Sequence, residues 1–98
     1  MYTITAIIRV REGHEETMRE ALMAVARSVA ETEPDTLGYH VSQSVEVPQV
    51  FTTYERFRDK AAMELHNASP AVAKWIETCG PILAETPVLY TSEELFAK

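Results

Sequence analysis

The sequence predicts an α+β domain with the element order β-α-β-β-α-β. Three observations carry that prediction. Four stretches are rich in β-branched or aromatic residues, one long apolar helical face separates the first two, and two short helical stretches separate the last two. The 98 residues make a single domain over 1–98, without repeats, low-complexity runs or a linker.

The first strand is "YTITAIIRVR" (2–11), which sets Ile4, Ala6, Ile8 and Val10 on one face. Gly13 breaks it, and Glu15 and Glu16 follow where a helix N-terminus favours negative charge. Met18, Ala21, Leu22, Val25 and Val29 then form one apolar helical face, with Arg19, Glu20, Arg27 and Glu31 turned to water. Pro34-Asp35 ends this helix. "LGYHVSQSVE" (37–46) and "VFTTYERF" (50–57) read as two strands joined by the "VPQ" turn into a hairpin. Asp59 caps a helix over 60–68 whose expected inner side is Ala61, Ala62, Leu65 and Ala68. Ser69-Pro70 starts a second helix, with Val72, Trp75, Ile76 and Cys79 inward, and Gly80-Pro81 breaks it. "TPVLYT" (86–91) is the last strand, followed by the short tail "SEELFAK".

This order is the ferredoxin-like split βαβ arrangement, a four-stranded antiparallel sheet with its helices on one face. Neither face of the first or third strand is uniformly polar, as a solvent-washed face tends to be. The second face therefore calls for cover by another subunit, and the expectation is a dimeric α/β barrel with twofold symmetry.

Nine basic against fifteen acidic residues give a net charge of −6, with the basic ones scattered. Such a field repels phosphate backbones, so nucleic acid is not an expected partner. Arg9 and Arg11 interrupt the N-terminal apolar segment, so no signal peptide is expected. No run approaches the roughly 18 apolar residues of a membrane span. The expected location is the cytoplasm. Cys79 is the single cysteine and, in phase with Val72, Trp75 and Ile76, reads as a small core residue rather than a nucleophile.

"ELHNASPAVAKW" (64–75) brings His66, Asn67 and Trp75 to one corner between two helices. His66 admits two roles, a helix-end cap for carbonyls or a base whose ordinary pKa of about 6.5 suits proton transfer. Trp75 serves as core or as a cavity wall, and Asn67 as a helix-end residue or a substrate contact. Tyr54 and Glu55 lie on opposite faces of their strand, so only one of them lines a given cavity. A metal site built from His66, Glu64 and His40 lacks paired-ligand spacing, and none is expected.

From "GYHVSQSVEVPQVFTTYERFRDKAAMELHNASPAVAKW" (38–75) the chain resembles the antibiotic biosynthesis monooxygenase family of small dimeric α+β barrels. The resemblance rests on Tyr-Glu-x-Phe at 54–57, Ala61-Ala62, His66 and Ser-Pro at 69–70, with "REGHEE" after the first strand fitting as well. It implies a pocket between the helices and the inner sheet face, and an oxygenase chemistry without metal or flavin. The positions that match the aromatic-polyketide branch hold Thr53, Phe57 and Met63 in place of its Asn, Trp and Tyr. The haem-degrading branch is also disfavoured, because Ala6 replaces its Asn and no His follows His66. What remains resembles the quinol-monooxygenase-like and autoinducer-2-processing-like branches.

The resemblance thus implies a cofactor-independent monooxygenase-like protein that uses dioxygen on a small hydroxylated aromatic or quinol. His66 would be the base and Glu55 its orienter, with Tyr54, Phe57, Trp75 and Asn67 around the substrate. Two alternatives accompany it. One is processing of a small phosphorylated or hydroxylated ketone, which needs a cationic clamp from Arg56, Arg58 or Lys74. The other is a non-catalytic dimeric binding or stress-response module.

Overall fold

The computed structural model describes residues 1–98. β1 (Tyr2–Arg9) runs out into a turn at Gly13, whose φ of +92° is the left-handed region open to glycine. The Gly13 N–H donates to the Glu15 carboxylate at 2.8 Å, and α1 (Glu15–Thr32) starts there with Glu15 and Glu16 in its first turn. Its inward face holds Met18, Leu22, Val25 and Val29, as the periodicity predicts.

β2 (Thr36–Gln43) and β3 (Val50–Phe57) form the expected hairpin. β2 stops short of the expected Glu46 because local side-chain bonds compete with the ladder. The Ser44 hydroxyl accepts the Val47 N–H at 3.0 Å, and Gln43 Nε2 donates to the Pro48 carbonyl at 2.9 Å. β4 (Val88–Glu93) begins two residues later than expected and continues through Ser92 and Glu93, which pair with Thr3 and Tyr2. Pro87, just ahead of it, has no N–H to give a ladder. The sheet order is β2-β3-β1-β4, antiparallel throughout. This is the ferredoxin-like α+β fold the element order predicts.

α2 (Lys60–Asn67) starts where the Asp59 carboxylate accepts the Ala62 N–H, and α3 (Pro70–Cys79) where Ser69 Oγ accepts the Val72 N–H at 3.2 Å. α3 ends in a single 3₁₀ turn at Gly80–Ile82. The inner side of α2 corrects the sequence expectation. Ala62, Met63 and His66 point inward, while Ala61 and Ala68 are exposed and Leu65 is 74% exposed. The helix is rotated about one residue, or about 100°, from the purely apolar phase. Met63 joins Ile4, Phe57 and Ala62 in a small core cluster, and His66 finds charged partners that Leu65 could not satisfy. On α3, Cys79 is fully buried and Val72 and Trp75 half-buried, whereas Ile76 is mostly exposed.

The inner sheet face presents Ile4, Ala6 and Ile8 from β1 and Phe51, Thr53, Glu55 and Phe57 from β3, all buried beneath the helices. The outer face presents Ile7, Tyr54, Val88 and Tyr90, all exposed. At its edge Arg56 makes a two-pronged ion pair with Glu94, through Nε at 2.6 Å and Nη2 at 2.9 Å. That pair holds the first residue after β4, while Leu95 and Phe96 project into solvent. No helix is long and apolar enough to cross a membrane.

Candidate active site

Between the helices and the inner sheet face lies a cavity of about 310 Å³. Its walls are predominantly apolar, with Ile4, Ala6 and Ile8 as floor and Leu22, Val25, Val72 and Trp75 above. Five of its six polar side chains, Tyr39, Thr53, Glu55, His66 and Asn67, come from β2, β3 and α2, and the sixth, Thr91, from β4. No lysine or arginine lines it. Such a cavity suits a small, largely apolar ligand oriented by a few polar contacts.

The polar groups around His66 are assembled from four segments distant in sequence. β3 alternates, so Thr53, Glu55 and Phe57 share the inner face and Tyr54 and Arg56 the outer. Thr53 Oγ1 donates to Glu55 Oε2 at 2.6 Å, which fixes the carboxylate from its own strand. The last turn of α2 brings His66 Nε2 to 3.2 Å from Glu55 Oε1. On the other side of the ring, His66 Nδ1 lies 2.9 Å from Oε1 of Glu33, the residue that caps the C-terminus of α1. Thr36 Oγ1 donates to that same Glu33 oxygen at 2.8 Å. Tyr39, directly across from Glu55 in the β2–β3 register, places its ring 5.6 Å from the imidazole. The Phe57 ring stands 5.4 Å away.

His66 and Glu55 are 3% and 6% exposed, so these charges sit in a water-poor setting. Burial works against a charged imidazole. Hydrogen bonding and charge from Glu55, and then from Glu33, outweigh it, and the His66 pKa lies above its ordinary value. Burial, followed by the same two carboxylates, pushes the Tyr39 phenol well up, so Tyr39 stays a neutral donor. Burial likewise raises the Cys79 thiol, which leaves it a poor nucleophile. No group of three or more His, Cys, Asp or Glu side chains converges on a point where a metal ion would bind. The two carboxylates lie against opposite nitrogens of one ring, so they cannot share an ion with it.

The structure brings together His66, Glu55, Trp75 and Asn67 of the residues singled out in the sequence. Phe57 is adjacent but fully buried behind the imidazole, so it supports the site rather than lining the cavity. Tyr54 does not line the cavity at all: it is on the outer face, 39% exposed, with its hydroxyl 3.4 Å from Glu94. Period two on β3 is the reason, since Glu55 occupies the inward position. His40 is exposed, whereas Tyr39 points in. Sequence reasoning missed Glu33, Thr53 and Tyr39. Thr53 shares its face with Glu55 by alternation and Tyr39 follows from the hairpin register, but nothing local marks Glu33. Trp75 Nε1 and Glu33 Oε2 are each buried without a hydrogen-bond partner.

A four-stranded sheet with a helix-covered apolar cavity and a buried carboxylate–imidazole pair has the geometry of a candidate small-ligand site. The family model described as antibiotic biosynthesis monooxygenase matches residues 1–78, and the chain belongs to that family. The fold is similar to a Nitrosomonas europaea protein provisionally named as such a monooxygenase, at TM-score 0.90 and 22% identity over 98% of this chain and 100% of that one. Proteins provisionally named likewise from Caulobacter crescentus (TM-score 0.90, 19% identity, 97% and 90% covered) and Deinococcus radiodurans (0.88, 22%, 100% and 96%) are also similar. At these identities the likeness concerns the fold. No curated protein sequence matches the chain significantly.

Proposed function

We propose that the protein is a cofactor-independent monooxygenase acting on a small, uncharged, hydroxylated aromatic such as a quinol. The observation that carries the proposal is the Glu55–His66 pair set in the wall of a predominantly apolar cavity. A substrate hydroxyl near Glu55 gives its proton to the carboxylate. The O–H bond breaks, a new O–H bond forms on Glu55, and the phenolate sits over the His66 side of the site. In a water-poor cavity that anion is a strong electron donor, and the adjacent imidazolium offsets the charge that gathers on oxygen. Dioxygen takes the electrons of the aromatic ring. One oxygen atom enters the ring, the other leaves as water, and a quinol becomes a hydroxyquinone with no external reductant.

The autoinducer-type alternative is less well supported. Its phosphate would need a cationic clamp, but Arg56 is committed to Glu94 on the outer face and Arg58 to Asp35, and Lys74 lies exposed on α3. The homodimer and the cytoplasmic setting remain part of the same proposal. A second copy seated on Ile7, Tyr54, Val88 and Tyr90 would cover the exposed outer face.

The test is dissolved-oxygen uptake with a panel of quinols and anthrone-like phenols, comparing wild type with Glu55→Gln and His66→Ala. Uptake above the uncatalysed rate that collapses in Glu55→Gln supports the proposal. Absence of uptake with every substrate, while the same compounds still bind, would favour the binding-module alternative.

A further inference from the structure

We infer that Glu33 is a positioning residue, which grips His66 from outside the cavity so that the site offers a substrate hydroxyl the Glu55 carboxylate and not the imidazole. The geometry of the ring carries this. Glu33 Oε1 lies 2.9 Å from Nδ1 and Glu55 Oε1 lies 3.2 Å from Nε2. A carboxylate only accepts, so a ring flanked by two of them satisfies both contacts by donating from both nitrogens. That ring is an imidazolium with no free lone pair, and it cannot take a proton. Glu55 can: two oxygens provide about four acceptor positions, of which Thr53 uses one, while His66 stands at ion-pair distance from the other oxygen. The roles expected from the sequence are thereby exchanged, with the carboxylate as base and the imidazole as its fixed counter-charge.

Glu33 is suited to this task by where it stands. It does not line the 310 Å³ cavity but a second, open depression of about 380 Å³ at the far side of the His66–Tyr39 wall. Tyr39 borders both spaces. The Glu33 side chain is 13% exposed against 4% for His66, yet its Oε2 is buried without a partner, so the carboxylate is held through Oε1 alone, by His66 and Thr36. The groups facing the ring are Glu33 from the end of α1, Tyr39 from β2, and Glu55 and Phe57 from β3. No lysine or arginine is bonded to either carboxylate among the ion pairs of the protein, so His66 is their common cation.

The role assigned to Glu33 rests on the site acting on a hydroxylated substrate, but its test needs none, so the two fail separately. The test is a ¹⁵N NMR titration of the imidazole nitrogens in the full chain, which separates an imidazolium from either neutral tautomer. Wild type is compared with Glu33→Gln and Glu33→Asp, with the signals of His14 and His40 checking the fold. The expected result is a His66 whose titration midpoint lies above the ordinary imidazole value of about 6.5, with both nitrogens protonated below that midpoint. Glu33→Gln moves its midpoint to lower pH, and Glu33→Asp, which keeps the charge, recovers part of the loss. A neutral His66 with an unprotonated Nε2 in wild type would overturn the inference. So would a midpoint unmoved in Glu33→Gln or, should that variant not fold, a midpoint unmoved in Glu33→Asp, whose shorter reach breaks the 2.9 Å contact.

Discussion

Glu55 Oε1 stands 3.2 Å from His66 Nε2, which joins a strand and a helix end into one acid–imidazole unit at the wall of an apolar cavity. Each partner explains the burial of the other. A carboxylate or an imidazolium alone in such a place would carry a desolvation penalty of several kcal/mol.

Replacement of Glu55 by Gln keeps the size and the Thr53 contact but removes the charge that accepts a proton. Turnover is expected to fall about 10²–10⁴-fold, the usual worth of a general base, with KM changed little. Steady-state oxygen uptake separates the two constants. A variant with full kcat and a raised KM would make Glu55 a binding group only.

The His66–carboxylate contacts make stability depend on pH. The folded pKa of His66 lies above its unfolded value of about 6.5. Its contribution is therefore fully present below about pH 6.5 and is lost as pH rises through the folded value. Urea unfolding between about pH 6 and pH 9 should show the gap between wild type and His66→Gln shrinking as pH rises. A gap that is flat or grows with pH would contradict the two-carboxylate grip.

Trp75 is the single tryptophan and lines the cavity, so intrinsic fluorescence reports occupancy directly. A saturable change on adding a neutral quinol is expected, with a much weaker response to an aryl phosphate of equal size, because no cation lines the cavity. Equal or tighter binding of the phosphate would restore the autoinducer-type alternative. Tyr54→Phe should leave this affinity within about twofold, since its side chain is on the other face of the sheet.

The corner that presents His66 depends on the Ser69 cap of α3. Ser69→Ala should lower stability by about 1 kcal/mol, read from urea midpoints, with the far-ultraviolet dichroism spectrum unchanged. An effect near zero would mean that Pro70 alone fixes the start of α3.

The fold was legible because its elements announce themselves locally. Alternation marks β1 and β3, a clean apolar stripe marks α1, and Asp59 and Ser69-Pro70 mark the starts of the two short helices. α2 was misphased because its inward residue is a charged histidine, and apolar periodicity has no place for one until its partners are known. Those partners come from the end of α1 and from β3, positions joined only by the tertiary fold. Glu33 was invisible for that reason, whereas Glu55 and His66 were both visible from the family resemblance. The choice between Tyr54 and Glu55 needed the absolute register of β3, which the sheet pairing supplies and alternation alone does not.

The most direct measurement of the central claim is isotope incorporation. Wild-type protein is given a quinol substrate under ¹⁸O₂ and the product is weighed by mass spectrometry. A single labelled oxygen atom in the hydroxyquinone, with the other recovered in water and both lost in Glu55→Gln, is the predicted result. A product whose added oxygen comes from water, or a turnover that continues without dioxygen, would contradict a monooxygenase built on the Glu55–His66 pair.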